Sequence, residues 1–144
     1  EWLEVKNGQN ILEIGTCSGW QSWILSYLVG EGTVYSVELH PELVKFAQVN
    51  LRSLKIKNVH VILGDGSLGY LKASPYDRII ITAACTEIPL PLLEQLKENG
   101  LLLAPVGDTS QSLILLKKTS VGNIEIKNQS NYVFVPLLGK FGKK

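Results

Sequence analysis

A chain of 144 residues, 45% hydrophobic and 19% charged, is long enough to bury one sizeable core and too apolar to stay disordered. Its net charge of +1 supplies no field that would draw in nucleic acid or a membrane surface, and runs such as GLLLAPVG are too short to span a bilayer. Its two cysteines, Cys17 and Cys85, form neither a disulfide framework nor a metal-ligand spacing, so no metal is expected and a reducing cytoplasm is the expected setting.

NILEIG (10–15) reads as a buried strand. The stretch after it sets Trp20, Trp23, Ile24, Tyr27 and Leu28 on one helical face, the face expected to pack inward. TVYSVEL (33–39) is the second strand. Pro41 then occupies a helix's first turn, with Leu43, Ala47, Leu51 and Leu54 on its inner side. NVHVILG (58–64) and DRIIITAA (77–84) are the third and fourth strands. Leu92, Leu93 and Leu96 mark a short helix that Gly100 ends, and GLLLAPVG (100–107) is the fifth strand. From residue 110 the rhythm changes: SLILLKKT, SVGN and IEIKN read as a β-hairpin. The basic KFGKK at the end reads as a solvated tail.

Alternating strands and helices at this spacing form βαβ units. The expected fold is therefore α/β: a single domain over residues 1–144, doubly wound, with a mostly parallel sheet finished by antiparallel strands. Such sheets bind ligands beyond the carboxyl ends of their strands, where the winding reverses. GTCSG, ELHP, GDGS, TAACTE and PVGD stand at those ends.

Several of these residues carry chemistry. Gly15 and Gly19 flank a tight turn into a helix, but Cys17 and Trp20 stand where a dinucleotide fingerprint would need glycine. The pattern E-x-G-x-x-x-G, from Glu13 through Gly15 to Gly19 with Thr16 and Ser18 between, resembles the first motif of S-adenosylmethionine-dependent methyltransferases, whose ligand has no phosphate. Glu38 ends the second strand nineteen residues beyond Gly19; its carboxylate either accepts from both hydroxyls of a ribose or is simply a solvated acid. Leu39 and His40 follow, and His40 either caps the next helix or flanks the base. His60 reads as packing on the third strand. Asp65, between Gly64 and Gly66, either accepts from an adenine amine, with N–H groups of Gly66 or Ser67 serving a ring nitrogen, or forms a plain Asp-Gly turn.

GDGSLGYLKASPYDRI (64–79) resembles the signature of the protein-L-isoaspartate O-methyltransferases, and the likeness continues through LEIGTCSGWQ, TAACTEIPLPLLEQLKENGLLLAPVG and VFVPLLGKFG. The resemblance implies a Rossmann-like methyltransferase fold with S-adenosylmethionine as cofactor. It implies methyl transfer to the α-carboxylate of L-isoaspartyl residues in damaged proteins. On that reading Glu13, Gly15, Thr16, Ser18, Gly19, Glu38, Leu39, His40, Asp65 and Gly66 hold the cofactor. Thr82, Ala83 and Ala84 line the reaction centre and Pro136 and Leu137 take part in a peptide groove; for both sets the alternative is core packing. The protein is expected to act as a monomer, without nucleic acid or membrane partners.

Two departures from the family accompany the resemblance. Cys17 stands where the family usually has a small residue. The family's N-terminal segment, with its Ser or Thr near a Pro-His pair, is absent, and the chain contains no methionine, as expected of a sequence trimmed at its start. A chain without that segment is expected to bind cofactor and to transfer methyl poorly. Competing expectations are a class I methyltransferase with a small-molecule substrate, a nucleotide-binding oxidoreductase domain, and a non-catalytic cofactor-binding fragment. Cys17 and Cys85 follow adjacent strands and are expected either as free buried thiols or as a functional pair across the cleft.

Overall fold

The computed structural model describes residues 1–143. Its strands form one seven-stranded sheet in the order β3-β2-β1-β4-β5-β6-β7. Here β1 is Asn10–Ile14, β2 Thr33–Glu38, β3 Val59–Leu63, β4 Tyr76–Ile81, β5 Leu96–Val106, β6 Gln111–Thr119 and β7 Gly122–Tyr132. The first five are parallel; β6 and β7 run antiparallel as a hairpin. Helices α1 (Trp20–Val29), α2 (Pro41–Ser53) and α3 (Leu90–Glu94) make the connections, and the fold is the doubly wound α/β class that the alternation implied. No helix among the described residues is long and apolar enough to cross a membrane.

The period of two along β1 divides the core. Ile11 packs with Leu25 and Val29 of α1 and with Val34 of β2. Leu12 and Ile14 belong to the other, larger cluster, with Ile79, Ile81, Leu102 and Leu92 of α3. Burial of side chains on both faces of β1 is what a central parallel strand requires. A third cluster, Leu3, Leu101 and Leu115, is closed by Trp2 and Val5.

Three expectations about the helices change. The inward face of α1 is Ser22, Leu25, Ser26 and Val29, whereas Trp20, Ile24, Tyr27 and Leu28 are exposed, Tyr27 at 82%. The reason is polar: Ser22 must reach a buried carboxyl on β1, and that contact outranks the larger apolar stripe. On α2 the buried set is Val44, Ala47 and Leu51; Leu54 lies past the helix end and is exposed. Leu96 is not helical. It begins β5, pairing with Tyr76, so α3 ends at Glu94 and Gly100 falls inside the strand rather than capping a helix. Lys118 reaches across from β6 to the carbonyls of Leu93, Glu94 and Leu96, satisfying the helix end that glycine was expected to close.

Arg78 on β4 is 8% exposed and ties the start of the chain to the sheet. Its guanidinium donates to the carbonyls of Leu3 (2.6 Å) and Glu4 (3.2 Å). Removing it orphans those acceptors above the third core cluster. We expect Arg78→Ala to lower stability by about 2 kcal/mol, the scale of lost hydrogen bonds to a charged group. Urea denaturation measures this, and an unchanged midpoint would show that the N-terminal residues contribute nothing to the core.

Candidate functional site

Because β1 lies between two parallel neighbours, the loops that leave β1 and β4 diverge, and a cavity of about 630 Å³ opens at their carboxyl ends. Ile14 to Ser18, Trp20 and Gln21 line it from the first crossover, and Val37 to His40 with Leu43 from the second. Gly66, Thr82, Ala83 and the stretch Val135 to Leu138 complete it.

The turn after β1 is held on several sides. Gly15 has φ of 94° and so sits in the left-handed region; a Cβ there would collide with the Thr82 hydroxyl, which makes glycine obligatory on both counts. That hydroxyl lies 2.8 Å from the Ile14 carbonyl and 2.9 Å from that of Gly15, donating toward them and pinning the end of β4 to the turn. Cys17 adopts φ of 49°, an unusual conformation for a side chain that glycine would occupy freely. Its N–H donates to Glu38 Oε2 (3.0 Å), and the His40 N–H donates to Glu38 Oε1 (3.1 Å). One carboxylate, 6% exposed, therefore joins the two loops that form half of the cavity.

Beneath this turn Glu13 is fully buried. Its Oε2 accepts from Ser22 of α1 and from Ser36 of β2, the latter at 2.6 Å, and Ser36 shares a further bond of 2.6 Å with Thr16. Among the described residues Glu13 Oε1 and Gln21 Nε2 have no partner. Burial pushes the Glu13 carboxyl up to about 7. The Ser22 and Ser36 hydroxyls and the nearby Gln21 amide oppose that rise, and Glu38 adds to it.

The model of the protein-L-isoaspartate(D-aspartate) O-methyltransferase family matches residues 1–142. The chain belongs to this family. It is 51% identical over 144 residues to a protein-L-isoaspartate O-methyltransferase of Pyrococcus horikoshii, covering 99% of this chain and 65% of that protein. It is 46% identical to protein-L-isoaspartate O-methyltransferase 2 of Archaeoglobus fulgidus, covering 100% and 66%. The chain thus spans just under two thirds of the length of these relatives. A solved protein-L-isoaspartate O-methyltransferase superposes with a TM-score of 0.91 at 32% identity, over 98% of this chain and 45% of that one. A Plasmodium falciparum protein, described as a protein-L-isoaspartate O-methyltransferase and solved with S-adenosyl-L-homocysteine, superposes with a TM-score of 0.83 at 25% identity, over 93% and 67%.

Of the residues singled out in the sequence, Gly15, Thr16, Ser18, Glu38, Leu39, His40, Gly66, Thr82, Ala83, Pro136 and Leu137 come together around the cavity. Four stand back from it. Glu13 lies below the turn, Gly19 precedes α1 against Ala47 and Leu51, and Ala84 bridges to Pro136. The carboxylate of Asp65 is engaged by Ser67 and by the N–H of Lys140. The His40 side chain makes no cap bond, and His60 stacks on Tyr35 at 5.3 Å. Cys17 is exposed and lines the cavity. Cys85 is buried against Pro105, with burial pushing its thiol up to about 11, so the two thiols occupy different environments. Trp20, Gln21, Leu43 and Leu138 line the cavity without having been singled out as ligand contacts. Trp20 and Gln21 were legible as the first residues after a glycine-flanked turn.

Glu13 makes stability depend on pH. Its folded pKa, about 7, lies above the ordinary 4.5, so between these values the folded state binds more protons than the unfolded chain. Its contribution is complete below about pH 4.5 and is lost as pH rises through 7, by on the order of 3 kcal/mol. Glu13→Gln imitates the protonated form. We expect urea midpoints of the native protein to fall from pH 5 to 7.5 relative to those of the variant; parallel profiles would contradict this.

Proposed function

We propose that the cavity binds S-adenosylmethionine and that the protein transfers its methyl group to the α-carboxylate of L-isoaspartyl residues in damaged proteins. The observation that carries this reading is Glu38. It is a nearly buried carboxylate at the end of β2, beside the glycine turn after β1, in a chain whose family is that of isoaspartyl methyltransferases. The cavity volume of about 630 Å³ falls within the range of small-molecule and cofactor sites, roughly 300–1,000 Å³.

The residues fit such a ligand. Gly15 leaves room for it above the end of β1. Glu38 has lone pairs beyond those taken by Cys17 and His40, enough to accept from a ribose. Trp20 and Gln21 close the cavity on the α1 side. Leu39, His40 and Leu43 flank the base, while Thr16, Ser18 and Gly19 shape the turn and Glu13 supports it from below. Asp65, with three donors of its own, keeps acceptor capacity for the base amine, and its neighbour Gly66 lines the cavity.

Bound S-adenosylmethionine supplies a methyl group on a sulfonium, ready for in-line displacement. The acceptor carboxylate, with an ordinary pKa of about 3.5, is already ionised at neutral pH, so no residue need act as a general base. This chain's residues then contribute alignment and exclusion of water. Thr82, Ala83 and Ala84 keep the end of β4 small, and Pro136 and Leu137 offer an apolar bed for the peptide. We further infer that residues 1–144 work as one methyltransferase domain, monomeric, in a reducing cytoplasm and without nucleic acid or membrane partners.

Tritiated methyl transfer tests this. Whatever the absolute rate, label should enter an isoaspartyl peptide and not its aspartyl isomer. Glu38→Ala should weaken cofactor binding by roughly 1.5–3 kcal/mol, the scale for hydrogen bonds to a charged group. Equal labelling of the two isomers would refute the substrate, and unchanged cofactor affinity in the variant would remove Glu38 from the site.

A further inference from the structure

Gln95 stands between α3 and β5, is 5% exposed and does not line the cavity. Its backbone joins α3 to β4: the N–H donates to the Pro91 carbonyl (3.2 Å), and the carbonyl accepts from the Tyr76 N–H (2.8 Å). Its side chain is committed elsewhere, to the chain that follows β3. Gln95 Oε1 accepts from the Tyr70 N–H (2.8 Å), and Nε2 donates to the Leu68 carbonyl (2.8 Å). One buried amide thus pairs with the backbone on both sides of Gly69, much as a neighbouring strand would. Gly69 has φ of 68°, and a Cβ there would run into that amide, so turn and amide are fitted to each other. Tyr76, fully buried on β4, adds its hydroxyl, which donates to the Tyr70 carbonyl.

These contacts reach the cavity within one turn of chain. Gly66–Leu68 is a single 3-10 turn, closed by the Gly69 N–H on the Gly66 carbonyl (2.9 Å). Gly66 lines the cavity, and a Cβ on it would collide with Ile14 of β1. Gly66 is therefore caught between Ile14 and a turn whose far end Gln95 holds. Resting on the cofactor reading above, we propose that Gln95 is a positioning residue, seconded by Tyr76: from outside the cavity it fixes the Leu68–Tyr70 backbone and so sets Gly66 where the base of the S-adenosyl ligand meets it. Removing the amide withdraws a partner from one backbone acceptor and one backbone donor at once, and a buried turn relaxes to find others.

Ligand binding by the folded variants separates this from a role in stability alone. Gln95→Met keeps the length of the side chain and removes both of its hydrogen bonds. Tyr76→Phe removes only the hydroxyl. Gln95→Met should weaken S-adenosylhomocysteine binding about tenfold in calorimetry, the scale of one net hydrogen bond. The preference for that ligand over its 6-oxo analogue, S-inosylhomocysteine, should shrink with it, because the turn no longer meets the base in register. Exchange of the Tyr70 amide hydrogen should quicken. Tyr76→Phe should move affinity and base preference in the same direction by a smaller factor.

A Gln95→Met protein that is less stable to urea but binds both ligands as the native protein does would overturn the proposal, leaving Gln95 a purely structural residue. Equal loss of affinity for the two ligands would also overturn it, since the effect would then lie away from the base. Should Gln95→Met fail to fold, Tyr76→Phe decides, and native affinity with native base preference in that variant counts against the proposal. A native protein that does not bind S-adenosylhomocysteine would overturn the cofactor reading itself. Native binding with unaffected variants leaves that reading standing and removes only the role of Gln95 and Tyr76.

Discussion

A carboxyl group sealed inside the molecule, that of Glu13, sets the arrangement on which the site depends. A buried acid must find donors or stay neutral, and Glu13 does some of each. Its partners come from three successive pieces of chain: Ser22 on α1, Ser36 on β2 and, through Ser36, Thr16 in the turn between. Meeting that demand rotates α1 so that small hydroxyl side chains face the sheet, and the Trp20, Ile24, Tyr27 and Leu28 stripe turns outward. The same rotation brings Trp20 and Gln21 to the cavity. Core packing and site geometry are thus consequences of one polar requirement.

Three acids stand at the ends of three adjacent parallel strands, and their surroundings give them different work. Glu13 is kept from water and driven toward neutrality. Glu38 is held by two backbone amides and remains at the cavity edge with acceptor capacity to spare. Asp65 takes three donors, two from its own turn and one from the end of the chain. Position at a strand end makes an acid available for binding; its local donors decide whether it meets a ligand, supports a turn or anchors another segment. For the proposed methyl transfer, to a group that is already ionised, this division would suffice, because such a reaction asks for alignment and not proton transfer.

The parallel strands β1 to β4 and the loops that follow them were legible because buried strands read as continuous apolar runs, and glycine, proline and acid mark their ends. That logic put Gly15, Glu38 and Thr82 at the strand ends, where they line the cavity. The facing of α1 was not, since apolar periodicity ranks a stripe by size while the buried Glu13 selects a face by hydrogen bonding. Leu96 was misread for a related reason: three leucines spaced as on a helix are also compatible with a turn entering a strand, and pairing with Tyr76 decides between them. The tie between Asp65 and Lys140 was invisible because the two lie seventy-five residues apart. A Gly-Lys-Phe-Gly sequence looks like solvated tail until the backbone amides it offers are counted.

The central claim is that an S-adenosyl ligand lies in the crevice between β1 and β4, with Glu38 as its ribose acceptor. A crystal structure of the protein with S-adenosylhomocysteine tests it most directly. The account predicts the nucleoside over the Gly15 turn, with ribose hydroxyls within hydrogen-bonding distance of the Glu38 carboxylate and the base between Leu39 and Gly66. Ligand density elsewhere on the molecule, or a ribose held without Glu38, would contradict it.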